Sequence, residues 1–159
     1  MLELEHGFQA LDVHARLPAA EGGTFDPERL ERELEQAGIT RAVVFPPAGP
    51  DRGLLGANNA VARGSVDRPF VPFARIGGPR RVPDGIGARL QNALSLGSAE
   101  TTAEDIEQYA IDDRFHGFVL DPRHDGVPSE ATLEEIEDSE LPMIVYAGAG
   151  FPVDILEQV

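Results

Sequence analysis

Asp12, His14 and Arg16 stand two residues apart, the spacing that places alternate side chains of a β-strand on one face. Leu11, Val13 and Ala15 alternate with them, so residues 8–15 read as a short strand with one apolar and one polar side. On the polar side, His14 is either a ligand for a metal or substrate or a histidine hydrogen-bonded within a polar strand end. Asp12 reads as its orienting partner or a structural acceptor rather than a general base. Arg16 reads as a counter-charge to Asp12 or, through its planar fork, as a grip on a substrate carboxylate. Arg75, at the end of a later strand, faces the same mouth, either holding an anionic ligand or solvated at the base of a loop. Tyr146 reads as a strand-end aromatic whose hydroxyl reaches that mouth, while His116 and His124 read as surface residues.

The elements that must position these residues alternate regularly. Asp26 caps a helix that starts at Pro27, carries Leu30, Leu34 and Ala37 as its apolar stripe, and stops at Gly38. Residues 39–45 form a second strand ended by Pro46-Pro47, and residues 54–66 a weaker helix containing Asn58 and Asn59. A third strand spans 70–76, closed by Gly77-Gly78-Pro79. Residues 80–100 read as a loop with a short helix at 88–94, and Thr102 opens a helix with Ile106, Tyr109 and Ala110 apolar. The fourth strand is 115–120; Ser129 caps a helix with Leu133 and Ile136 inward; the fifth strand is 142–147; a last helix begins near Val153. Alternation of this kind predicts a parallel sheet with right-handed crossovers.

Three of these segments, in this order, resemble the metal-dependent amidohydrolase superfamily, specifically its amidohydrolase-related branch. Asp12-Val13-His14-Ala15-Arg16 is similar to that family's Asp-x-His-x-His, residues 115–122 to its fourth-strand Gly-aliphatic-Lys-aliphatic-His-Pro stretch, and residues 141–148 to the fifth-strand stretch ending in His-x-Gly. The resemblance covers essentially the whole chain and implies an α/β fold of parallel strand-helix repeats, the amino-terminal part, about five strands, of a (β/α)8 TIM-type barrel. It implies a divalent metal, zinc or manganese, that lowers the pKa of bound water and polarises a carbonyl of a small metabolite. The matched positions depart from the pattern. His14 keeps the first metal position, but Arg16 stands at the second histidine, Tyr146 at the fifth-strand histidine and Val119 at the lysine. A guanidinium has no lone pair to coordinate an ion. Asp121, at a strand end, is the remaining candidate ligand beside His14. The family's sixth-strand histidine and eighth-strand aspartate would lie beyond Val159. The expectation is therefore a single incomplete barrel domain over residues 1–159, a truncated hydrolase relative with weak or no activity. The alternative is a non-catalytic relative that binds a small anionic ligand through Arg16 and Arg75 or acts as a structural partner. Open sheet edges would favour self-association.

Composition narrows the partners. Against 28 acidic residues there are 13 basic ones, a formal charge of -15, which disfavours nucleic acid and anionic membrane surfaces. All the basic residues are arginine, and with carboxylates crowding helix surfaces at Glu28, Glu31, Glu33 and Glu35 this reads as adaptation to concentrated salt. Cysteine is absent, which removes disulfides, thiolate metal sites and a cysteine nucleophile. Without a long apolar run or a positively charged leader, a cytoplasmic protein is expected. The run Ala147-Gly148-Ala149-Gly150 follows a strand, but Val153 occupies the third small position of a dinucleotide fingerprint.

Overall fold

The computed structural model describes residues 10–16, 26–47, 53–79, 100–111 and 113–147, the side chains of His14 and Arg16 excepted. The elements in chain order are β1 (Ala10–Arg16), α1 (Pro27–Gln36), β2 (Ile39–Phe45), α2 (Gly53–Gly64), β3 (Phe70–Pro72), β4 (Ala74–Ile76), α3 (Ala103–Ile111), β5 (Phe118–Leu120), α4 (Glu130–Asp138) and β6 (Met143–Val145). The helices expected at 88–94 and beyond Val153 lie outside the described residues.

Among the described residues all ladder pairs are parallel, and they form two three-stranded sheets, β1-β2-β3 and β4-β5-β6, each in chain order. The strand expected over 70–76 is divided between them at Phe73. Its N–H donates to Val44 O at 2.9 Å, on the β2 side, while Ala74 N–H donates to Gly117 O at 2.9 Å, on the β5 side. One extended segment thus serves both sheets.

Helix ends follow local chemistry. Asp26 accepts from Arg29 N–H at 3.0 Å with Pro27 behind it, and Gly38 takes φ +69°, the left-handed conformation that costs a Cβ-bearing residue and ends the helix after its Ala37 cap. Ala37 is exposed, so the apolar stripe of α1 is Leu30 and Leu34 alone. Thr102 and Asp105 bond reciprocally, Asp105 Oδ2 accepting from Thr102 N–H at 2.9 Å and Thr102 Oγ1 from Asp105 N–H at 3.2 Å. Ser129 accepts from Thr132 N–H at 3.3 Å to start α4. Among the described residues no helix is long and apolar enough to cross a membrane.

The strands carry apolar residues on both faces, the pattern of a parallel sheet covered on both sides. Toward the helices, Ala42, Val44 and Phe70 pack with Leu30, Leu34 and Val61, and Ala74, Ile76, Phe118 and Leu120 pack with Ile106, Tyr109 and Ile136. Each large side chain buried there contributes about 1.5–3 kcal/mol. On the opposite face Val43, Phe45, Phe73 and Val119 form a third cluster, joined by Ile144 and Tyr146. Gly117 permits this packing, since a Cβ there would lie 2.5 Å from the Phe73 ring.

β1 departs from the expected alternation. Ala15 is buried, but Leu11 and Val13 are 54% and 58% exposed. The register explains it: Asp12 pairs with Ala42 and Ala15 with Val44, so β1 takes three steps where β2 takes two. An extra residue in one strand rotates the side chains before it relative to those after it.

Candidate functional site

The carboxyl ends of parallel strands are where α/β folds place ligands, and here they are organised around Arg75. The ladder between β2 and β3 ends at the pair Val44 and Pro72, with Phe73 N–H donating to Val44 O. The Arg75 peptide, paired with Val119 of β5 in the ladder, is met by a helix residue instead of β2. Asn58 of α2 accepts from Arg75 N–H through Oδ1 at 2.8 Å and donates through Nδ2 to Arg75 O at 2.9 Å. Its Nδ2 also donates to Tyr109 Oη at 3.2 Å. Burial pushes the Tyr109 phenol pKa up, with this hydrogen bond opposing, so the hydroxyl stays neutral. Asn58 is fully buried, on the helix face shared by Leu54, Val61 and Ala62.

The Arg75 side chain, 3% exposed, ties two loops together. Nε donates to Asp125 Oδ2 at 2.7 Å, Nη1 donates to Pro46 O at 3.2 Å, and Nη2 lies 2.7 Å from Asp125 Oδ2 and 3.5 Å from Asp121 Oδ2. Nη2 is buried, and the angles to these carboxylates leave it without a well-directed acceptor among the described residues. Burial raises the pKa of Asp125 above the ordinary carboxylate range, outweighing the hydrogen bond and charge of Arg75. Asp121 completes the group by pairing through Oδ2 with His124 Nδ1 at 2.8 Å.

The segment bearing these carboxylates is fastened over the end of β4. Asp121 O accepts from the N–H groups of His124 and Asp125 at 3.0 and 2.8 Å, and Asp125 O accepts from Gly78 N–H at 2.9 Å. Only glycine suits position 78, because a Cβ there would lie 1.9 Å from Val127 O. Thr101 adds a second tie, its hydroxyl accepting from Gly77 N–H and its own N–H donating to Gly77 O, both at 3.0 Å.

Of the five candidate residues, the structure brings Arg75 and Asp121 together. Arg75 is buried and ion-paired, not solvated at a loop base, because Asp121 and Asp125 close over it. Tyr146 sits just after β6, on the apolar face opposite the helices, its ring edge-on to Phe45 at 6.2 Å. The backbone register sets Arg16 beside Phe45 at the end of β1, while Asp12 is half-buried beside Ala42, about 10 Å back along the strand. The side chains of His14 and Arg16 lie outside the described residues. His124 is exposed as expected, at 62%, yet paired with Asp121. Asn58, Asp125 and the pairing of His124 were missed; the one legible signal was a polar residue at a core position of α2.

The expected metal ligands fit poorly on their described side. Asp121 Oδ2 is held by His124 and faces a guanidinium, which repels a divalent cation. Among the described residues no three His, Asp or Glu side chains gather as an ion-binding group. No protein-family model, curated protein or solved structure matches this chain.

Proposed function

We propose that this chain is a relative of the amidohydrolase-related barrels in which metal-dependent hydrolysis is lost or vestigial, retaining a small-molecule site at the carboxyl ends of its strands. The observation that carries the reading is the capture of Asp121 by Arg75 and His124. A carboxylate serving as a metal ligand needs its lone pairs directed at the ion, and here one oxygen already faces two nitrogen groups. Arginine in place of a second histidine at position 16 points the same way. On this reading Arg75 is the internal counter-charge of the rim, and Arg16 is the cation left to grip a small anionic ligand.

The barrel assignment is supported by the strand order. Parallel strands following chain order, without the reversal that creates a switch point in doubly wound sheets, and apolar side chains on both faces suit the first five strands of a (β/α)8 barrel.

The test is metal analysis of the chain folded in molar potassium chloride, with hydrolysis of small amides and esters assayed before and after chelation. The expected result is no stoichiometric zinc or manganese and no chelator-sensitive turnover. A tightly held metal whose removal, or His14→Ala, abolishes hydrolysis would establish the metal-dependent hydrolase instead.

A further inference from the structure

We draw no further inference here: the strongest candidate, the surface patch on the edge strand β1 where Leu11 and Val13 are exposed, carries nothing because nothing in the structure shows what covers it.

Discussion

The carboxamide of Asn58 holds both the N–H and the C=O of Arg75, on a strand segment whose ladder partner is Val119 of β5. A helix side chain thereby fixes a strand peptide, and the residue it positions is the buried cation of the strand-end rim.

This relationship predicts an asymmetry between two near-isosteric variants. Asn58→Asp keeps an acceptor for Arg75 N–H but offers no donor to Arg75 O, and it buries a carboxylate against that carbonyl. Chemical denaturation should show a loss of about 3 kcal/mol or more, exceeding the loss in Asn58→Ala, which leaves unpaired groups of about 1–3 kcal/mol without adding charge. Equal losses would mean the carboxamide does not bridge the Arg75 peptide.

Arg75 and Asp125 form a buried pair, so removing either partner strands the other. Arg75→Ala should cost about 3–5 kcal/mol, and Arg75→Lys should recover little, because an ammonium cannot reach Asp125 and Pro46 O with a fixed fork.

The same pair sets a pH dependence with a definite sign. Burial raises the folded-state pKa of Asp125 above its ordinary value of 3.8, so between those two values the folded state binds more protons than the unfolded. Stability contributed by this group is therefore present below the ordinary value and lost as pH rises through the folded one. Unfolding free energies of wild type and Asp125→Asn, measured from acid to neutral pH, should diverge in that window, the wild type losing stability relative to the variant. Parallel curves would show that burial does not govern Asp125.

Gly78→Ala should act through the backbone. Its Cβ would meet Val127 O at 1.9 Å, forcing the turn that bears Asp121, His124 and Asp125 away from β4. A loss of at least about 2 kcal/mol in chemical denaturation is expected. Wild-type stability would refute the close approach.

The charge of -15 predicts that added potassium chloride raises the unfolding midpoint into the molar range, because counterions screen repulsion among carboxylates. On α1, Glu28, Glu33 and Glu35 are exposed, while Glu31 is partly withdrawn by Arg68. A midpoint that is flat in salt would remove salt adaptation from the account.

Local chemistry made most of the elements legible. Asp26-Pro27, Gly38, Thr102 and Ser129 act within one turn of chain, so the bounds of α1, α3 and α4 could be read without knowing what packs against them. Residues 39–45 were legible as a strand, while the covering of both its faces emerged with the packing of Val44 toward the helices and Val43 and Phe45 away from them. The bulge that exposes Leu11 and Val13 was not legible, because it lies in the register between β1 and β2.

By itself, then, the sequence determined the parallel strand-helix alternation, the acidic surface and the absence of thiol chemistry, all of which depend on composition or on contacts a few residues apart. Tertiary structure decided the site. Arg75 meets Asp125 across 50 positions and Asn58 across 17, distances over which no periodicity carries information. Whether a strand-end arginine is free for a ligand or closed within the rim depends on which loops fold over it, and that is fixed only when the sheets assemble.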